Sequence, residues 1–385
     1  MIDLPAEGLT DRVRATLPLV AASSFEAEAQ RRPLDEVISA LEDTGVFRSF
    51  VPKRHGGYEI DMQTYVDIGV SVAEADPSMG WITTFYMEHN WLLSAMFSDE
   101  LVDEIFSARL YMLAPGTVNA NGRATPHPDG SFTLTGQWQF ATGICHADWA
   151  FLSGMIEGDE PPMPRQFLVP VEQVEVKDTW HVDGMAATGS RDIVATEVLV
   201  PPIRASLSPP PALTAGPNAS YLLRIPIAPM LSLTAAMPAL GAAKRALALF
   251  GARLHERIQF GTKRTQSNRV PAQVKLANLT VEVDAAETLM RDIARRIQAH
   301  ADAEVTYSLG EQQEQRLAIA HIVRRCRDIV RSILESSGAS AHYLDNELQR
   351  IQRDVHMISA HTVFDVDLLA EAVGRAHVAP PETQP

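Results

Sequence analysis

Apolar positions along the first third of the chain recur with a helical period. Leu34, Val37, Ile38 and Leu41 fall at i, i+3, i+4 and i+7, the stripe of an amphipathic helix, with Pro33 opening it and Gly45 ending it. Further helical stretches are predicted over Tyr65–Ala75 and from about Met79 to Met96, after a glycine turn in Lys53-Arg54-His55-Gly56-Gly57-Tyr58. From about Thr117 the period changes to two. Phe132, Leu134, Trp138 and Phe140 alternate with small or polar residues behind the Asp129-Gly130 turn signal, which predicts a half-buried strand. Short runs at Phe167–Val169, Val174–Val176 and Ile193–Val200 continue the β pattern. A proline-rich connector, Pro201-Pro202 and Pro209-Pro210-Pro211, closes it. From Ala228 the helical period returns, broken near Ser267–Pro271, Ser308–Gly310 and Ser337–Ser340. The seam Leu344, Leu348, Ile351, Val355 and Ile358 is read as the packed face of the last helix. The pattern divides the chain into a helical part (1–115), a β part (116–215) and a helical bundle (216–385).

Composition narrows the class without naming it. The 385 residues are 46% hydrophobic and 21% charged, ordinary for a globular protein. A net charge of −15 argues against a nucleic-acid partner, whose phosphates need a basic surface. Cys145 and Cys326 give neither a disulfide framework nor a metal-site spacing, so no metal is expected. The N-terminus lacks a basic segment followed by an apolar run, and no uninterrupted apolar stretch reaches the ~20 residues of a membrane span. The expectation is a cytoplasmic protein with no membrane partner. No two glycines stand two positions apart, so G-x-G-x-x-G is absent and a Rossmann dinucleotide site is not expected. His356 and His361 are five residues apart, about 140° around a helix, and would not share a metal on one face.

The stretch Gly136–Trp149 carries the candidate chemistry. Its strand ends in Phe140-Ala141-Thr142-Gly143: an aromatic, a hydroxyl and a conformationally free glycine, which can lay backbone against a flat ligand. Taken alone it reads more readily as a strand leaving the core through an ordinary turn.

The order of helices, strands and bundle, with particular residues, resembles the acyl-CoA dehydrogenase superfamily. Phe140-Ala141-Thr142-Gly143 followed by His146-Ala147-Asp148-Trp149 resembles its flavin strand. Ala239-Leu240-Gly241-Ala242-Ala243-Lys244-Arg245 resembles its first bundle helix. Arg257-Ile258-Gln259-Phe260-Gly261 followed by Gln273 is similar to its Arg-x-x-Phe-Gly…Gln element, and Arg353-Asp354 to the pair in its last helix. The resemblance implies an α+β fold with an N-terminal helical domain, a central β-barrel or sandwich and a C-terminal four-helix bundle. The dehydrogenase branch carries a Glu-Gly-Thr loop after its Arg-Asp helix; here the chain reads Ser359-Ala360-His361-Thr362. With Trp81…His89-x-Trp91, Trp180-His181…Ser190-Arg191-Asp192 and Ser336-Ser337-Gly338, the chain resembles the group D flavin-dependent monooxygenases, oxygenase components of two-component aromatic hydroxylases.

That resemblance implies reduced flavin (FMNH2 or FADH2) supplied by a separate NAD(P)H:flavin reductase, O2 as co-substrate, and hydroxylation of a phenolic or indole-like substrate through a C4a-hydroperoxyflavin. It also implies a homotetramer with the flavin between subunits. Thr142 becomes the partner of flavin N5 and the peroxide, a hydroxyl that can accept and donate. His361 becomes the acid/base or hydrogen-bond donor, titrating near neutrality. Two turns earlier, Asp354 would share its face if the helix continues. His89 is a substrate-side polar group with Trp81, Phe85 and Tyr86 as the aromatic wall. Phe140, Trp180 and Ser190 border the flavin. Arg257, Phe260, Gln273, Ser337 and Gly338 form the phosphate side, where arginine offers a bidentate contact and a Ser-Gly turn its amides. Each has a plain structural alternative, such as a core histidine, a hydroxyl bonded to its own backbone or a surface ion pair. The competing functions are a desaturating dehydrogenase of CoA thioesters, an N- or S-oxygenase of the same fold, and a flavin-binding scaffold without turnover.

Overall fold

A computed structural model describes residues 4–117, 119–158, 164–214, 219–258, 261–303 and 307–378. The helical N-terminal part consists of α1 (Leu9–Gln30), α2 (Asp35–Thr44), α3 (Met62–Ala75), α4 (Pro77–Met96) and α5 (Asp99–Ala108). Helix α2 ends on Gly45 in the left-handed conformation, as its pattern predicts. Asp61 starts α3 by accepting from the amides of Gln63 and Thr64 at 2.9 Å. Asp76 starts α4 in the same way, through Met79 N at 2.8 Å, with Pro77 in the first turn. Helix α4 is apolar around most of its circumference and almost wholly buried. It packs against both α3 and α8, so the residues it carries are held in the centre of the molecule.

The strands are β1 (Gly122–Pro126), β2 (Phe132–Ala141), β3 (Trp149–Ile156), β4 (Pro164–Pro170), β5 (Glu175–Lys177) and β6 (Arg191–Val200). They form one sheet among the described residues, in the order β4-β3-β1-β2-β6-β5, antiparallel except for the parallel β1–β3 pair. Phe132 on β2 meets Phe167 on β4 edge-on at 5.3 Å although the two strands are not neighbours. The sheet therefore curls around its own core of Leu134, Trp138, Leu152, Phe167 and Ile193. Phe132, Leu134 and Trp138 face inward as the alternation predicts, but Phe140 does not. A bulge between Trp138 and Ala141 shifts the register, gives Ala141 the inward position and leaves Phe140 56% exposed.

Past the connector lie α6 (Pro211–Thr214), α7 (Tyr221–Arg224), α8 (Ile227–Glu256), α9 (Val270–Ala303), α10 (Leu309–Ser337), α11 (Glu347–Ser359) and α12 (Val366–Val378). Ser308 and Glu311 close a capping box at the start of α10. The seam on α11 holds from Leu348 to Ile358, all buried. Leu344, in contrast, lies before the helix and is 82% exposed. Helix α11 is also not the last, and it stops at Ser359, so Asp354 and His361 do not share a helical face. Among the described residues no helix is long and apolar enough to cross a membrane.

Candidate active site

The end of β2 meets α4, the turn before β6 and the segment after α11 at one place. Gly143 adopts φ +74, and a Cβ there would stand 2.5 Å from the Tyr86 hydroxyl. Only glycine turns the chain this tightly over α4. Phe140, two residues before Thr142, also has a left-handed backbone, φ +67, an outlier for a bulky residue. A large ring held half in solvent on strained backbone asks for a reason beyond the core. Its face meets Trp180 edge-on at 6.0 Å.

Thr142 is half-buried. Its hydroxyl accepts from the Trp81 indole N–H at 3.1 Å and lies 3.0 Å from Ser190 Oγ. Ser190 in turn lies 2.7 Å from Thr188 Oγ1. The Trp81 ring is 5.6 Å from the His361 ring and 4.8 Å from Phe85. Trp81 thus touches both the strand hydroxyl and the histidine, which are 219 residues apart in the chain. His361 caps the turn Thr362–Phe364, its Nδ1 accepting from Val363 N at 3.3 Å. In the neutral ring the proton then sits on Nε2. Burial lowers the imidazole below its ordinary value, so at neutral pH His361 presents an N–H donor.

His89 is placed differently. It follows Phe85 by one turn on α4, ring to ring at 5.5 Å, but both its nitrogens face the protein. Nδ1 donates to the Ala114 carbonyl at 2.6 Å, and Nε2 lies 3.3 Å from Glu88 Oε2. Burial lowers His89 to about 4 and pushes the fully buried Glu88 carboxyl well above its ordinary range. Tyr86 points away from the Trp81–Phe85 wall: its hydroxyl donates to the Gly143 carbonyl, and its ring meets Phe47 at 5.5 Å.

A second group lies at the ends of α8 and α10. Arg257 Nη1 donates to the Ser337 carbonyl at 2.6 Å, and its guanidinium occupies the space where a side chain at Gly338 would stand. Arg253 donates to the same carbonyl at 2.9 and 3.0 Å. Gln273 Nε2 donates to Ser267 O at 2.8 Å. No hydrogen bond or ring contact joins this group to Thr142 among the described residues, and Phe260 lies outside them.

Three residues in the neighbourhood were given no role by the sequence reading. Phe364 stands 6.1 Å from His361, and Thr188 extends the hydroxyl line to the Met185 carbonyl at 2.8 Å. Met185 N donates to Asp354 Oδ1 at 2.5 Å, which ties the turn to α11. Thr188 sits two residues before Ser190 in Thr188-Gly189-Ser190; two hydroxyls around a glycine were the available signal.

Helices, a curled sheet and a helical bundle in this order make up the acyl-CoA dehydrogenase fold, and residues 233–366 match the family described as acyl-CoA dehydrogenase, C-terminal domain. The chain is 30% identical over 391 residues to a "Pigment production hydroxylase" of Rhodococcus sp. (strain ATCC 21145), covering 100% of both chains. It is 28% identical to the "FADH(2)-dependent resorcinol hydroxylase, oxygenase component" of Rhizobium sp. (strain MTP-10005), covering 97% and 94%. The structure of XiaF from Streptomyces sp. in complex with FADH2 and glycerol superposes with a TM-score of 0.90 at 27% identity, covering 97% and 96%. The chain belongs to the oxygenase components of two-component flavin-dependent hydroxylases, a branch of the acyl-CoA dehydrogenase superfamily.

Proposed function

We propose that this protein transfers one oxygen atom of O2 to a small aromatic substrate, phenolic or indole-like, at the Thr142–Trp81–His361 site. The electrons come from FMNH2 or FADH2 delivered by a separate reductase. The balance is substrate–H, O2 and reduced flavin giving substrate–OH, water and oxidised flavin. The observation that carries the reading is Trp81, which holds the Thr142 hydroxyl with its N–H and packs its ring on His361.

The donor set fits a flavin. Phe140 and Trp180 offer apolar ring surface, and Thr142 offers a hydroxyl at the strand end. Reduced flavin supplies the electrons that activate O2, and the chain supplies orientation and dryness. Thr142 would hold the hydrogen of a reduced flavin's N5 with its hydroxyl oxygen, and His361 would offer its Nε2–H to the substrate hydroxyl. Phe85, Trp81 and Phe364 exclude water around it. His89 supports Phe85 from behind, and Tyr86 supports the Gly143 turn. Arg257, Ser337 and Gly338 would take the phosphate side of a neighbouring copy's flavin. That arrangement requires an oligomer, for which we propose a homotetramer. Val270, Val274 and Val281 lie within about 40° of each other around α9 and are each more than half exposed, an apolar stripe that suits a second copy. An imidazole after α11 where dehydrogenases carry their glutamate loop favours oxygenation over desaturation of a CoA thioester.

The test is a screen of phenols and indoles with the purified chain, a generic NAD(P)H:flavin reductase and labelled O2, scored by product mass. Incorporation of one labelled oxygen supports the reading. Release of all reducing equivalents as hydrogen peroxide with every substrate, together with oxidation of an acyl-CoA, would refute it.

A further inference from the structure

Behind Thr142 four hydrogen-bonding gaps stand in line. Trp81 Nε1 to Thr142 Oγ1 is 3.1 Å, Thr142 Oγ1 to Ser190 Oγ 3.0 Å, Ser190 Oγ to Thr188 Oγ1 2.7 Å, and Thr188 Oγ1 to the Met185 carbonyl 2.8 Å. Both ends have a fixed sense. An indole N–H only donates, and a carbonyl oxygen only accepts. Each hydroxyl between them has one proton. All four gaps are filled only when every proton points from Trp81 toward Met185. Thr142 then spends its proton on Ser190 and one lone pair on Trp81, and what it turns outward is its remaining lone pair.

The opposite sense is possible at a cost. If Thr188 donates to Ser190 and Ser190 to Thr142, the Thr142 proton is free to point outward, but the Thr188–Met185 gap is empty. The Met185 carbonyl keeps the Trp180 indole at 3.2 Å and the Thr188 amide at 3.1 Å in either sense, so the cost is one hydrogen bond and not an orphaned carbonyl. Thr188 and Ser190 are 1% and 3% exposed, which leaves water no room to fill the gap. One net buried hydrogen bond corresponds to about a fivefold preference.

We propose that Ser190 and Thr188 are positioning residues that lock Thr142 as an acceptor, and that this proton order makes the site select reduced flavin over oxidised flavin. Reduced flavin carries a hydrogen on N5, which the open lone pair receives. Oxidised flavin has a bare nitrogen there and sets a lone pair against a lone pair. The inference rests on the flavin reading above and adds a cause for redox selectivity that no single residue of the site contains.

The test is anaerobic equilibrium titration with FMN and FAD, each oxidised and dithionite-reduced, of the wild type, Thr188→Val and Thr188→Ser. In Thr188→Val the Ser190 proton can go only to Thr142, so the sense reverses. The ratio of oxidised to reduced Kd should fall by about fivefold or more, while Thr188→Ser keeps the wild-type ratio. A packing defect would weaken both redox forms alike, so an unchanged ratio in Thr188→Val overturns the inference and leaves the flavin reading standing. Should Thr188→Val fail to fold by circular dichroism, Ser190→Ala removes the acceptor of Thr142 and is judged by the same ratio. A wild type that binds neither flavin in either state overturns the flavin reading itself.

Discussion

Replacing Asp354 with asparagine should stabilise the protein at alkaline pH. Asp354 is 3% exposed on α11; its Oδ1 accepts from Met185 N, and its Oδ2 has no hydrogen-bond partner and lies 3.8 Å from Arg350 Nη1. Arg350 already donates to Asp76, so two buried carboxyls share one guanidinium. Burial raises Asp354 to about 7 against the pull of Arg350, with Asp76 adding to the rise. The unfolded value is about 3.9. Below both values the two states are protonated alike. Between about 4 and 7 the unfolded chain releases the proton while the fold retains it, so stability falls as pH rises. Three pH units at 1.36 kcal/mol each set an upper bound of about 4 kcal/mol. Asparagine keeps an acceptor for Met185 N–H and cannot ionise. Its amide facing Arg350 costs on the order of 1 kcal/mol, leaving a net gain of about 2–3 kcal/mol above pH 7 and a small loss near pH 4. Urea midpoints at pH 5 and pH 8, at one protein concentration, measure the difference. A variant that loses more stability at pH 8 than at pH 5 would refute the reasoning, because it would mean the carboxylate is ionised in the fold and held by Arg350.

His361→Ala should leave flavin affinity intact while product formation drops by about a hundredfold and peroxide rises; normal coupling in this variant would remove His361 from the chemistry. His89 is held to about 4 by burial. Its stabilising effect is complete above about 6.5 and is lost as pH falls toward 4, by up to about 3 kcal/mol. Asp354 slopes the other way over this range, so His89→Gln is best compared with the wild type in an Asp354→Asn background; the acid-side loss should flatten in urea titrations. Gly184→Ala places a Cβ 2.3 Å from the Arg353 carbonyl and should cost about 2 kcal/mol or more, since backbone faces backbone. A change within 0.5 kcal/mol, the scale of neutral surface substitutions, would show that the turn can lift off α11 freely.

The hydrophobic periods determine a great deal here. The stripe of α2, the all-round apolar α4 and the seam Leu348–Ile358 are local facts, because burial of one helical face is written in spacings of three and four. The period of two likewise marks β2, β4, β5 and β6, but not β1, which is short, or β3, whose central residues are buried on both faces and do not alternate. Thr142, Trp81 and His361 were legible as candidates through a resemblance in residue types. Their meeting was not: Trp81 reaches them from α4 only because α4 lies between the sheet and the turn after α11.

The same limit explains where the sequence reading departs from the structure. Phe140 was expected to alternate inward, but a bulge depends on pairing with β6, and pairing is not a local property. Asp354 and His361 would have shared a face on a continuous helix; the chain instead ends α11 at Ser359 and uses His361 to cap the next turn. The direction of each proton in the Trp81–Met185 line is still less local, since it depends on what stands at both ends. The sequence by itself determined most of the helices, four of the six strands and a set of candidate side chains. Tertiary structure alone decided which of them touch, which are buried and which way they donate, because those depend on distances between residues far apart in the chain.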